Sequence, residues 1–375
     1  MSTLPAEKKR RLSAACDQRV LRIGTDCSGI DVCVAMLQDL IVERGVQHRY
    51  EVEHVFSSEV DPAARAIIEH NFGPRHLFAD LTKRALYPAP GGDARSAAAS
   101  LRPAASELSD LDIYVAGFPC QPWSTAGKQQ GFKDKKGRGL IWTHILQFLV
   151  VAKPKCAILE NVVGITQGRH KLSFARMLSM IEDMDAFDVQ YKVLNTRDFG
   201  VAQNRERVFV ILLRKDCLRH TSRWPEKTAA SLSPSLDAFL DAASAPVDLT
   251  ALPKAAGARR KCVAALSEML GKGLDPRRTP AACSINNRRA ATMLNCSPCL
   301  TAARASEGGH WLLHRARFMT DDELFRLQGL TPIRWQLPPS GATKKDMRAC
   351  LGNAISGNVI KLLLAAVLQA LGFLD

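Results

Sequence analysis

Long apolar runs are missing from this chain: no stretch approaches the roughly 18 uncharged apolar residues that span a bilayer. The basic start at Lys8, Lys9, Arg10 and Arg11 is followed by no apolar segment of the signal-peptide kind. A soluble intracellular protein without a membrane partner is therefore the expectation. Paired cysteine spacing is missing as well, since the 11 cysteines are scattered, which suits reduced thiols better than a disulfide framework. A single CxxC, Cys296 to Cys299, has no second pair and no neighbouring histidine spacing, so no metal site is expected. Internal repeats are absent too. Acidic residues are in short supply, 37 against 51 basic ones, leaving a formal net charge of +14.

What is present begins with that surplus of positive charge. A polyanion gains from counterion release when Lys and Arg neutralise its phosphates. The surplus is clustered: Gly127 to Gly139 holds five basic residues and one acidic, and Lys254 to Arg289 nine and two. Each cluster suits either a polyanion or a solvated face. Apolar residues make up 46% of the chain, enough for a sizeable core.

From Val20 to Leu213 short apolar runs alternate with amphipathic stretches, the pattern of a parallel sheet with crossover helices. Strands are expected at Leu21 to Ile23, Glu53 to Ser57, Leu111 to Ala116, Cys156 to Leu159 and Val208 to Leu212. Helices are expected at Val32 to Glu43, Ala63 to Asn71, Ile141 to Val151 and Ser173 to Met184. Residues 86 to 110 read as a loop insertion, and from Lys215 to about Arg289 the alternation fades into a second, less regular region. Order returns at "FMTDDELFRLQGL", where Thr320 and Glu323 form a capping box. An apolar helix from Ile355 to Leu371 must be buried, which brings the end of this sequence back onto the first domain.

Several strand ends carry chemistry. In "LRIGTDCSGID" a strand leads through a turn with Ser28 and Gly29 into a helix, so backbone N–H groups can face a nucleotide-like ligand. Glu59 ends the second strand, where a carboxylate can accept both ribose hydroxyls; Asp80 follows the third, where it can accept from an adenine amino group. Cys120 follows the next strand between Pro119 and Pro122, ahead of a polar, Gly- and Lys-rich segment, Ser124 to Gly139, suited to a lid. Its thiol would need a positive environment to act as a nucleophile. Glu160 ends the fifth strand, beside Cys120. Arg205 and Arg207 stand two apart at a strand start and share a face, available to a planar acceptor or to an ion pair with Glu160 or Glu206.

The order of motifs is more specific than any one of them. "DCSGID", "SEVD", "GFPCQPWSTAGKQQGF", "LENVVG", "VLNTRDFGVAQNRERVFVI", "SPCLTA" and "LGNAISGNVI" together resemble the C5-cytosine DNA methyltransferases, from Leu21 to Leu371. The resemblance implies a Rossmann-like α/β fold, S-adenosyl-L-methionine as cofactor and double-stranded DNA as partner. It implies that Cys120 adds to cytosine C6, Glu160 serves N3, Arg207 holds O2, and Arg205 supports the active-site loop or the covalent adduct. Cytosine would be flipped out of the duplex. Gln121, Ser124 and Lys128 would touch the DNA. The cofactor pocket would take Cys27, Gly29, Ile30, Glu59 and Val60 from the first two strand ends. Asp80, Leu81, Pro119, Leu140, Asn353 and Ile355 would complete it. The implied division is a basic tail at 1–19, a catalytic domain at 20–213, a target-recognition domain and hinge at 214–345, and a returning C-terminal helix at 346–375.

Two departures from the family pattern stand out. The first motif usually reads Phe-x-Gly-x-Gly, whereas Cys27 and Asp31 here replace the aromatic and a glycine. That implies either a weaker grip on the cofactor or a new contact from Asp31 to its methionine end. Asn204 replaces a usual basic residue. A tRNA cytosine methyltransferase is an alternative, against which stand the "FPCQPWS" motif and the lack of a Cys-Phe-Thr tripeptide. A catalytically silent DNA-binding paralogue is a second, supported only by the altered first motif. Lys8 to Arg11 reads as a nuclear signal if the source is eukaryotic, or as a tail on a cytoplasmic protein.

Overall fold

The computed structural model describes residues 18–84, 108, 110–119, 141–227, 234–242, 248–285 and 291–375. Its centre is a seven-stranded sheet. β1 (Arg19–Asp26), β2 (Tyr50–Ser58), β3 (His76–Phe78), β4 (Ile113–Gly117), β5 (Cys156–Val162) and β6 (Phe187–Asn195) are joined, after the short β7 (Gln203–Asn204), by β8 (Glu206–Arg214). The order is β3-β2-β1-β4-β5-β8-β6, with β8 antiparallel to both of its neighbours and the other pairings parallel. This is a mostly parallel, Rossmann-like sheet with helices on both faces.

The sequence builds it by alternation. Strands buried on both faces are apolar throughout, and successive side chains face opposite sides. Ile113 and Val115, Cys156 and Ile158, and Phe209, Ile211 and Leu213 join one core cluster. Tyr114 and Ala116, Ala157 and Leu159, and Val208, Val210 and Leu212 join the other. The first cluster takes α1 (Val32–Glu43) and the apolar face of the last helix; the second takes α3 (Ile141–Ala152) and α4 (Lys171–Glu182). Between them in the chain, α2 (Pro62–Phe72) starts at the Asp61 cap with proline in its first turn and stops at Gly73 (φ 52).

The expected strands and helices occur within a few residues of their expected positions, and α1 has the expected bounds. Further elements occur as well. β6 is one: Phe187, Val189, Tyr191 and Val193 alternate with the polar Asp188, Gln190 and Lys192, the period-two pattern of a half-buried strand. Another is α5 (Ala256–Gly271), inside the stretch read as irregular. α5 buries Ala258, Cys262, Ala265 and Met269 against Ala281, Cys283, Ile285, Trp311 and Leu313. Ala281, Cys283 and Trp311 belong to a small sheet of β9 (Ala281–Cys283), β10 (Thr292–Leu294), β12 (Trp311–Leu312) and β13 (Arg317–Phe318), and Ile285 and Leu313 lie just beyond it; β11 (Ser297–Pro298) instead pairs with β7.

Thr320 and Glu323 form the capping box of α7 (Asp321–Leu327), which follows the short α6 (Ala302–Ser306). The apolar helix expected from Ile355 to Leu371 is α9 (Gly357–Ala370); the segment 346–375 also takes in most of α8 (Lys344–Asn353), with a bend of 51° between the two. No single helix among the described residues is long and apolar enough to cross a membrane. The insertion at 86–110 and the lid at Ser124 to Gly139 lie largely outside the described residues.

Candidate active site

The carboxyl ends of β1, β2, β4 and β5 open on one cavity of about 1070 Å³. One side of it starts at the turn after β1, where Cys27 (φ 52) and Gly29 (φ 60) are left-handed. Gly29 N–H donates to Glu59 Oε2 at 2.8 Å, and Asp61 N–H donates to Oε1 at 3.0 Å. Glu59 thus joins the turn to the end of β2. Burial raises its carboxyl above the usual range against those N–H donors. The Cys27 thiol is pushed well up, first by burial and then by Asp26 and Glu59. Asp80 accepts from the N–H and Oγ1 of Thr82 through Oδ1, at 2.9 and 2.7 Å, and faces the same cavity.

Val60, Leu81, Pro119 and Asn353 complete this wall, while Ile30 and Ile355 line a recess of about 40 Å³ behind it. Asp31 reaches neither space: it is 1% exposed and bonded to Thr25 and Ser57, so it is not available to the methionine end of a cofactor. Behind Cys27, Arg84 makes a buried two-pronged pair with Asp26 at 2.7 and 2.8 Å. Its guanidinium packs against the rings of Phe56 and Phe148, at 4.6 and 4.5 Å from their centroids. Nothing in the local sequence marks Arg84 as buried.

On the opposite side of the cavity, Glu160 Oε1 meets Arg207 Nε at 2.9 Å. Burial raises the Glu160 carboxyl above its ordinary value, and Arg207 and Arg205 act against that rise. Arg207 is steadied by Glu206 O at 2.7 Å and by Cys299 Sγ at 3.9 Å. Arg205 borders the cavity too, but its N–H groups bind the carbonyls of Leu300 (2.7 Å), Gly352 (3.3 Å) and Ala354 (2.7 Å). Its guanidinium ties these two segments together, which makes it a positioning residue.

Cys299 is the residue that sequence reasoning left as half of a CxxC. Its sulfur accepts from Arg205 at 3.4 Å and lines the cavity beside Glu160. Burial alone would raise its thiol, but the two guanidiniums outweigh this and hold it below the ordinary value. Only the spacing to Arg205 and Arg207 in the fold reveals this. Among the described residues no three His, Cys, Asp or Glu side chains converge as metal ligands. Cys120, Gln121, Ser124, Lys128 and Leu140 lie outside the described residues.

A model of the family described as C-5 cytosine-specific DNA methylase matches residues 42–369. The chain belongs to that family. Among similar members is the Type II methyltransferase M.NgoBI of Neisseria gonorrhoeae, 37% identical over 163 residues, which cover 44% of each chain. The Type II methyltransferase M.HaeII of Haemophilus aegyptius is 36% identical over 159 residues, 42% of this chain and 43% of that one. The chain thus spans less than half the length of these curated relatives. For a C-5 methylase the fold is also as expected: a methyltransferase of Entamoeba histolytica superposes with a TM-score of 0.59 over 94% of this chain and 99% of that one, at 15% identity.

Proposed function

We propose that this methylase transfers a methyl group from S-adenosylmethionine to C5 of cytosine in double-stranded DNA. The observation that carries it is one cavity joining an acidic nucleoside-type cradle at Gly29, Glu59 and Asp80 to the Glu160–Arg207 pair. The cradle fits the cofactor by the chemistry of its donors and acceptors. Glu59 and Asp80 offer acceptors to ribose hydroxyls and an adenine amino group, and the acidic wall suits a cationic sulfonium. Cys27, Gly29, Ile30, Glu59, Val60, Asp80, Leu81, Pro119, Leu140, Asn353 and Ile355 would hold it. Bound there, S-adenosylmethionine supplies an electrophilic methyl group.

The chain's own residues make cytosine reactive enough to use it. Cys120, the residue after Pro119, would add as a thiolate to C6, forming an S–C6 bond and pushing the ring's electron pair towards C5. Glu160 would donate a hydrogen bond or its proton at N3, a role that suits a carboxyl raised by burial. Arg207 would move part of its hold from Glu160 to the cytosine O2. After methylation, loss of the C5 proton to a base and breaking of the S–C6 bond would return the thiol. Because C6 is enclosed in a duplex, the base must first leave the stack, at a cost of a few kcal/mol. Phosphate contacts from the basic clusters, including Lys128 with Gln121 and Ser124, would offset it.

Incubation with tritiated S-adenosylmethionine and either duplex DNA or tRNA tests the reading, with Cys120→Ala alongside. Label is expected on duplex DNA alone and is lost in Cys120→Ala. Label on tRNA alone, on neither nucleic acid, or surviving in Cys120→Ala would sink it.

A further inference from the structure

The polar side chains packed beneath the turn after β1 serve none of the roles above. Asp31 caps α1 from a left-handed conformation (φ 56), yet its side chain makes no cap hydrogen bond. It turns inward instead, accepting from Thr25 Oγ1 at 2.7 Å and from Ser57 Oγ at 2.6 Å. His54 Nε2 stands 2.7 Å from Ser57 Oγ and 3.6 Å from Asp31 Oδ2. Thr25 Oγ1 also lies 2.7 Å from Ser28 Oγ, which in turn accepts from Ser58 N–H at 3.1 Å.

The cluster is costly to keep. A carboxylate out of water is unfavourable unless it is well bonded, and a left-handed conformation strains any residue other than glycine. Glycine at position 31 would avoid both. Asp31, Ser57 and His54 border neither the cavity nor its recess, so they do not touch a ligand. Their neighbours do. Ser28 lies between Cys27 and Gly29 in the turn, and Ser57 lies two residues before Glu59. The cluster therefore fixes both halves of the Gly29–Glu59 contact, one from β1 and one from β2.

We propose that Asp31, held by Thr25, Ser57 and His54, is a positioning residue for cofactor binding, setting the spacing between the turn's N–H groups and the Glu59 carboxylate. The proposal rests on the cofactor reading above. Unlike a residue that only supports the fold, Asp31 acts on one ligand, so its loss raises the cofactor's KM and leaves the DNA's KM unchanged.

Titration calorimetry of the full chain with S-adenosylhomocysteine tests this, alongside steady-state kinetics. Asp31→Gly suits the backbone angle and removes both acceptors; Ser57→Ala removes one bond. The expected result is a Kd about ten-fold higher in Asp31→Gly and a few-fold higher in Ser57→Ala, the scale of one or two charge-assisted bonds. The double variant should be no weaker than Asp31→Gly alone, because the residues act as a unit. The KM for DNA, and kcat at saturating S-adenosylmethionine, stay within about two-fold. Wild-type Kd in the variants overturns the proposal, as does a parallel change in kcat and both KM values. Should Asp31→Gly fail to fold, Ser57→Ala alone decides by the same measurements. Failure of the wild-type protein to bind S-adenosylhomocysteine sinks the cofactor reading itself.

Discussion

At the scale of single residues, Glu160 carries the sharpest expectation. Its carboxyl is raised by burial, with Arg207 and Arg205 opposing. A group that must lend a proton at N3 works while protonated, so its contribution is present at low pH and fades as pH rises through the raised value. The rate should therefore show a falling alkaline limb attributable to Glu160, while the need for a Cys120 thiolate gives a rising acid limb. Glu160→Gln keeps an N–H donor but cannot give up a proton. It should lower kcat by about 100-fold, the low end of the usual range for a general acid, and remove the alkaline limb. Single-turnover rates between pH 6 and 9 check both. Strand alternation puts Arg205 and Arg207 on one face and leaves Glu160, Glu206 or a planar acceptor as partner; in the structure Arg207 pairs with Glu160. Arg205 could not be resolved in this way. Its acceptors are backbone carbonyls 95, 147 and 149 residues further on, and carbonyls leave no mark in a side-chain pattern.

Among the elements, the meeting of α8 with the start of α6 depends on one missing side chain. A Cβ on Gly352 would lie 2.3 Å from the carbonyl carbon and 2.4 Å from the oxygen of Thr301, and 2.5 Å from Ala302 N. These are backbone atoms and cannot step aside as a side-chain tip can. Gly352→Ala should push the two segments apart, weakening the Arg205 bonds to both. Overpacking of this kind costs about 1–3 kcal/mol, so the urea midpoint should fall, and cofactor affinity should fall with it through Asn353. Equilibrium denaturation and calorimetry on the same variant check the pair of effects. The contrast with α1 shows where sequence is informative. Its 12 residues from Val32 to Glu43 are apolar enough to be bounded directly. α5, by comparison, has Arg259, Arg260 and Lys261 in consecutive positions and buries its small residues only against a sheet formed later in the chain.

On the scale of the whole molecule, charge dominates the expected behaviour towards DNA. With a net charge of +14, binding should weaken steeply with salt, since each phosphate neutralised contributes about −0.9 to the slope of log K against log salt. Arg260 on α5 is exposed and lies in the basic stretch from Lys254 to Arg289. Arg260→Ala should weaken binding of duplexes of differing sequence about equally and reduce the slope by about one. Fluorescence anisotropy between 50 and 300 mM salt measures this, and an unchanged slope would place α5 away from the backbone. The apolar sheet and its covering helices were readable at this scale because their pattern repeats. The small sheet of β9, β10, β12 and β13 was not, because strands of two or three residues are too short to show a period.

The cavity has a consequence for the way the protein comes into being. Its first wall, Cys27 to Gly29, is made more than 320 residues before Gly352, Asn353 and the carbonyl of Ala354 that receives Arg205. A growing chain with the central sheet already translated therefore still lacks the part of the cavity wall that Gly352 and Asn353 supply. Synthesis of the Gly352 to Ala354 segment, rather than formation of the sheet, is the step that completes the cavity wall.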